Sequence, residues 1–267
     1  MNPEAGLIGM KWAKFKARVD HIIHSHKKKN QHNPEIVFQK RDILVVRHAQ
    51  SGNNVDWQAL VQHPKLTEKG KAQAKAMGKL LKKNKVKFDL VVTSGSTRAE
   101  QTAVIIMQEL EQTVPMVVER NFRERNVGVN IDKLGEKARE VQEKFSQWKH
   151  SLSDDVRWDA VPNNVKGLDL SNFETERQTA ERFQKALRKL QEEHPGKSIL
   201  VISHAYTMTA GLAALSQAIP DSQGSVFQHV SNTGYFTVRS KHIVGENTSF
   251  QIVHSNTKGT QVFEKGK

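Results

Sequence analysis

The sequence predicts an α/β fold, a three-layer α/β/α sandwich around a mostly parallel central sheet. Three observations carry that expectation. Short apolar runs of strand length alternate with longer stretches of helical periodicity, and parallel strands need such crossover helices between them. The strand-like runs, "ILVV" at 43–46, "FDLVVTS" and "SILVISH", are apolar at successive positions, which suits strands covered on both faces. Each also gives way abruptly to polar residues, and outside the carboxyl ends of parallel strands is where ligands bind.

The elements follow in order. Strand 42–47 runs into the loop "HAQSGNN". Thr67 then opens "LTEKGKAQAKAMGKLLKKNK" as a helix, since its hydroxyl can cap the free N–H groups of a first turn that also contains Gly70. "FDLVVTS" is the second strand, 97–112 a helix, and "PMVVE" a short third run. A polar region at 129–172 holds a helix at 135–150 and the loop "SDDVRWDAVPNNVKGLDLSN". Helix 174–194 stops at "HPGK", strand "SILVISH" follows, and an Ala- and Leu-rich helix spans 206–217. "GYFTVRS" and "SFQIVHS" close the fold as a hairpin around "KHIVGENT". Residues 1–41 stand apart as a basic extension, 42–257 as the main domain with 129–172 inserted, and 258–267 as a tail.

Composition narrows the function. The 267 residues are ample for a real core, and 26% charge with 37% apolar content describes a soluble globular chain. No apolar run approaches the roughly 18 residues of a membrane span. Lys11, Lys14 and Lys16 interrupt any signal-peptide pattern, so a cytoplasmic protein is expected. Cysteine is absent, which excludes disulfides, thiolate metal sites and cysteine nucleophiles. The formal charge of +13 implies an anionic counterpart: nucleic acid, a lipid surface or a phosphorylated substrate.

In the extension, Ile8, Trp12, Phe15, Val19 and Ile22 fall at spacings of three and four, one apolar stripe of a basic amphipathic helix. The reading taken is a helix docked on the body; the alternative is contact of residues 1–30 with an anionic membrane surface. His21, His24, His26 and His32 have no carboxylate or thiolate to complete a ligand set, so no metal site is assigned there.

Three strand ends share one chemistry. "ILVV" runs into Arg47 and His48, "LVVTSGST" into Arg98, and "ILVIS" into His204. One such histidine would be unremarkable, but two guanidiniums and two imidazoles converging on one crevice make a pocket for a dianion. Phosphate is the natural candidate, because the guanidinium fork matches its oxygens.

Those residues carry a resemblance to the histidine phosphatase superfamily, in its phosphoglycerate-mutase-like branch. "VVRHAQSGNN" resembles the family's R-H-G signature with an asparagine six residues after the histidine, here Asn54. "LTEKGKAQA", "VVTSGSTRAEQTA", "FRERNVG", "ETERQTAERF" (with Glu174 and Arg182) and "ILVISHA" are similar to its later motifs, in the family's order, over about residues 42–255. The resemblance implies roles. His48 would attack phosphorus and become phosphohistidine, with one ring nitrogen bonded to backbone near the motif. Arg47, Arg98 and His204 would hold the phosphoryl oxygens, Asn54 would add a neutral donor at the rim, and Glu124 would be the general acid, then the base for water. No cofactor or metal is implied.

Ala49 stands where the family most often has glycine, which matters only if that backbone needs positive φ. After Gly128 the usual Trp-Glu-Gly is Val129, Asn130 and Ile131, and "VDWQALVQHPK" does not match the mutase stretch that contacts phosphoglycerate. The expected activity is therefore phosphomonoester hydrolysis, on a small phosphorylated substrate or a phosphoprotein. The alternatives are a phosphoglycerate-type mutase, or a non-catalytic phospho-ligand-binding protein on the same scaffold. Nucleic-acid binding rests on charge alone, without stacking aromatics, and is not expected. Arg157, Trp158 and Lys166, in the 129–172 insertion, are candidate lid residues; the alternative is a solvated connector.

Overall fold

Strands β1 (Ile43–Arg47), β2 (Leu90–Thr93), β3 (Met116–Val118), β4 (Ile199–Ser203), β5 (Tyr235–Lys241) and β6 (Ser249–Asn256) form one sheet in the order β3-β2-β4-β1-β5-β6. The computed structural model describes residues 36–55, 63–129, 134–216, 227–241 and 249–260. Contacts divide the chain into Met1–Ile36 and Val37–Lys267; the expected N-terminal helix, its apolar stripe and the four histidines lie outside the described residues, as does the hairpin connection 242–248. The pairings β1–β4, β2–β4 and β2–β3 are parallel, and β1–β5 and β5–β6 antiparallel. The mostly parallel sandwich is thus observed, with the closing hairpin as its antiparallel flank.

Among the described residues, seven α-helical segments accompany the sheet: α1 (Gly52–Val55), α2 (Glu68–Lys83), α3 (Thr97–Leu110), α4 (Ala138–His150), α5 (Asp154–Arg157), α6 (Glu176–Glu193) and α7 (Ala205–Leu215). α2 packs on α3 and α6 on α7. Every residue of β1, β2 and β4 is buried, which is why those strands read as unbroken apolar runs. The main core joins them to Phe122, Phe183, Leu187 and Leu190, with Phe122 and Phe183 edge to face at 5.5 Å.

Local signals explain the helix starts. Thr67 caps α2 by accepting from Gly70 N. Gly70 itself is required by a close approach, since a Cβ there would sit 1.9 Å from the Gln50 carbonyl oxygen. That contact locks the start of α2 onto the loop after His48. α6 begins at Glu176 rather than at 174, because Thr175 and Gln178 form a capping box. α3 ends at Leu110 rather than 112, where Glu111 turns left-handed at φ 55°. The helix expected at 135–150 is a short 3-10 turn, Gly135–Lys137, followed by α4.

Candidate active site

Parallel register builds the site. Arg47 and Ser203 are partners at the last positions of β1 and β4. The chain therefore leaves two adjacent strands at one level, and His48 and His204 stand with ring centroids 5.1 Å apart. β2, on the other side of β4, continues into Ser94 and Ser96 and then into α3, whose first turn delivers Arg98. The four residues expected to converge do converge.

Arg98 sets both imidazole tautomers. A guanidinium can only donate. Its Nε donates to His48 Nε2 at 3.1 Å and its Nη2 to His204 Nδ1 at 3.0 Å, so those two ring nitrogens carry lone pairs. The His48 proton is then on Nδ1, which donates to the Ala49 carbonyl at 2.7 Å. The His204 proton is on Nε2, directed at Ser94 Oγ at 2.7 Å, with Ser96 Oγ at 3.4 Å. Burial first, then Arg98 and Arg47, hold His48 well below the usual imidazole range. His204 is lowered likewise, by burial and then by His48 and Arg98.

Around this pair the backbone is braced. Ala49 N donates to Thr102 Oγ1 at 3.0 Å, and Thr102 donates on to the Arg98 carbonyl. Ala49 is not among the described residues with positive φ, so its methyl is tolerated where the family favours glycine. Arg47 Nη1 donates to the Val230 carbonyl at 2.7 Å, while its buried Nε has no hydrogen-bond partner among the described residues. Such an orphaned donor beside two basic groups is where an anion's oxygen would bind.

Glu124 faces the same space. Its Oε1 accepts from the backbone N–H of Tyr206 at 3.1 Å and of Thr207 at 3.3 Å, in the first turn of α7, and from Arg125 N. Its charge acts on both Arg47 and Arg98. Glu174 and Arg182, paired through both carboxylate oxygens at 2.9 Å, brace this loop, Arg182 also donating to the Asn121 and Arg123 carbonyls. Gly128 closes the loop at φ +78°, where a Cβ would lie 2.9 Å from the Asp169 carbonyl oxygen. Asn54, expected at the rim, uses Oδ1 to accept from Ser51 N, Ser51 Oγ and Asn232 Nδ2, so its bonds here organise the loop.

Two of the three lid candidates are held in place by packing. Arg157 is buried, bonded to Glu176 Oε1 at 3.1 Å and stacked 4.0 Å over the Phe227 ring. Trp158 packs against Phe227 at 4.8 Å, and Lys166 is exposed. The first two tie the insertion down. The insertion's cation near the site is instead Lys149. It is only 8% exposed, and its ammonium lies 4.4 Å over the Tyr206 ring. Burial, then the neighbouring Arg157, lower its pKa to about 8. His229 is lowered by burial and then by Arg47 and Lys149, which places it within reach of both charges.

Sequence reasoning missed Ser94, Thr102, Asn232 and Lys149. Ser94 and Thr102 sit inside the motif that supplied Arg98, so a polar residue at the strand end and another four residues after the arginine were available signals. Asn232, which donates to the His48 carbonyl at 3.0 Å, comes from a loop far away in sequence and carried none. Among the described residues, no group of three or more His, Asp or Glu converges as a metal set.

Residues 43–253 match the histidine phosphatase superfamily (branch 1). Among curated relatives, the chain is 35% identical over 125 residues to a 2,3-bisphosphoglycerate-dependent phosphoglycerate mutase of Bartonella henselae, covering 43% of this chain and 57% of that protein. A mutase of the same description from Brucella anthropi is 28% identical over 204 residues, 73% of this chain and 89% of the relative. The first relatives are thus matched over little more than half their length. Among solved structures, mycobacterial glucosyl-3-phosphoglycerate phosphatase in complex with VO3 superposes with a TM-score of 0.56 at 21% identity, covering 81% of this chain and 99% of that one. A phosphoserine phosphatase from Entamoeba histolytica gives 0.53 at 18%, covering 81% of this chain and 97% of that one, and both likenesses concern the fold alone. The match over most of the chain, on strands that deliver Arg47, His48, Arg98 and His204 to one crevice, places this protein in the histidine phosphatase superfamily.

Proposed function

We propose that the protein hydrolyses phosphomonoesters through a phosphohistidine at His48. The observation that carries this reading is the fixed tautomer: Nδ1–H is held by the Ala49 carbonyl, and Nε2 bears a lone pair beside two guanidiniums. An imidazole kept neutral by its surroundings is a nucleophile at ordinary pH. Nε2 would attack phosphorus as the ester oxygen leaves. Arg98 would then exchange its bonds to the imidazoles for bonds to the phosphoryl oxygens, joined by the Arg47 Nε donor and His204. Glu124, through the oxygen not engaged by α7, would protonate the leaving alkoxide and next take a proton from the water that releases phosphate and frees His48. Charge is supplied by arginine, so the chemistry requires no metal. Lys149, a buried cation whose charge couples to that of Glu124, supports a leaving group that carries a further negative charge.

The test is rapid quench of the reaction into alkali, which preserves phosphoramidates. The peptide containing His48 should gain the mass of one phosphate, and chelator should leave turnover unchanged. Unaltered turnover in His48→Ala, or activity that returns only with added metal, would reject the reading. The mutase relatives favour a second reading, transfer of the phosphoryl group to another hydroxyl. Release of inorganic phosphate from a monophosphate, without formation of an isomer, separates the two.

A further inference from the structure

The charge of +13 is not spread over the molecule. Residues 1–41 carry nine Lys and Arg against three acids, and residues 65–87 carry nine lysines against Glu68 alone. The remainder of the chain is close to neutral. In the second segment every lysine is exposed. On α2 the buried side consists of Gly70, Ala74, Met77, Gly78 and Leu81. Lys71, Lys75, Lys79 and Lys83 follow one another at i,i+4 along the opposite side, with Lys82 beside them.

A solvated helix face ordinarily alternates signs, because like charges at i,i+4 destabilise the helix. Here Lys71 is paired with Glu68 and Lys82 with Glu111 of the following turn after α3, and Lys75, Lys79 and Lys83 form no ion pair with any described residue. The helix dipole accounts for Lys82 and Lys83 in the last turn but not for Lys71 and Lys75. Repulsion is retained along a face where stability alone would remove it.

We infer that this lysine face is a peripheral binding surface for anionic lipid bilayers. Lysines without a single arginine act as diffuse point charges, suited to a fluid anionic surface rather than to fixed bidentate recognition. Residues 65–87 contain no aromatic side chain, which removes the stacking that single-stranded nucleic acid binding uses. No helix among the described residues is long and apolar enough to cross a membrane.

The experiment compares the full chain with a variant carrying Lys71→Gln, Lys75→Gln, Lys79→Gln and Lys83→Gln. The parent should sediment with phosphatidylcholine vesicles that contain phosphatidylserine, not with pure phosphatidylcholine, and salt should release it. The variant should partition at least ~10-fold less, since each lysine near an anionic surface contributes on the order of a severalfold gain. Its melting temperature and its turnover of a small soluble phosphate should be unchanged, because none of these lysines touches the catalytic groups. Equal vesicle binding by parent and variant, absence of parent binding, or stronger parent binding to duplex DNA or RNA at the same salt would each overturn the inference.

Discussion

Arg98 joins the two imidazoles through two different nitrogens of one rigid fork, and this defines which nitrogen of His48 can attack. Lysine keeps the charge but has neither the fork nor the reach to both rings. Arg98→Lys should therefore lower kcat by ~10²–10³-fold, the range for loss of one oriented transition-state donor, with little change in melting temperature. Glu124→Gln keeps an oxygen to cap α7. It should lose ~10²–10⁴-fold on alkyl phosphates and far less on nitrophenyl phosphate, whose leaving group needs no proton. Equal losses on both substrates would assign Glu124 to the cap alone. Both histidines also tie stability to pH. Their folded pKa values lie below the unfolded value of 6.5, so between those values the unfolded chain binds more protons and stability falls as the pH drops below 6.5. The slope is at most about 1.4 kcal/mol per pH unit for each group. Urea unfolding at stepped pH should show a shallower acid loss in His204→Asn than in the parent. At this scale the sequence disclosed Arg47, His48, Arg98 and His204, because each ends or follows an apolar strand, while Glu124 came only through the family resemblance. It did not disclose Ser94 or Asn232, whose importance arises only from which atom of which histidine they meet.

Among the elements, a buried trio ties the insertion to the body. Glu176 Oε1 takes Arg125 Nη1 at 2.5 Å and Arg157 Nη2 at 3.1 Å, with all three side chains at 10% exposure or less. The Arg125 contact is an ion pair without hydrogen-bond geometry, and Arg125 also donates from Nε to the Glu174 carbonyl. Removing the shared carboxylate leaves two buried cations unpaired. Glu176→Gln should therefore destabilise the fold by ~3–5 kcal/mol in urea titration. A smaller change, within about 1 kcal/mol, would mean that water compensates the arginines. Glu176 was read only as part of a helix, and Arg157 as a lid residue. A charged residue on a polar helix looks solvated in sequence, and only its tertiary pairing with Arg125 and Arg157 shows it buried. The helix start at Thr67 was better marked, since a cap is local and Thr67 needs only Gly70; the equally local box of Thr175 and Gln178 sets the other start two residues after the expected 174.

For the whole molecule, the alternation of strands and helices made the sandwich legible, and β1 lies inside the sheet because its residues are apolar on both faces. What was not legible is the order that sets β4 between β1 and β2, on which the meeting of His48, His204 and Arg98 depends. Strand order reflects how crossovers pack, and no single segment encodes it. The contacts that build the described site run between residues Arg47 and Asn232: those of His48, Arg47, Arg98 and Glu124, and of the loop that bonds the His48 carbonyl. All of them lie within Val37–Lys267. Deleting 1–30 should therefore leave kcat/KM for a small soluble phosphate within a few-fold of the parent, whatever the extension does to stability or to surface attachment. The measurement is steady-state turnover at matched ionic strength, because removing basic residues also weakens the positive field that draws anionic substrates in. Equal values at high salt, with a modest loss at low salt, would assign the extension to that field; a large loss at both would show that it reaches the reacting groups.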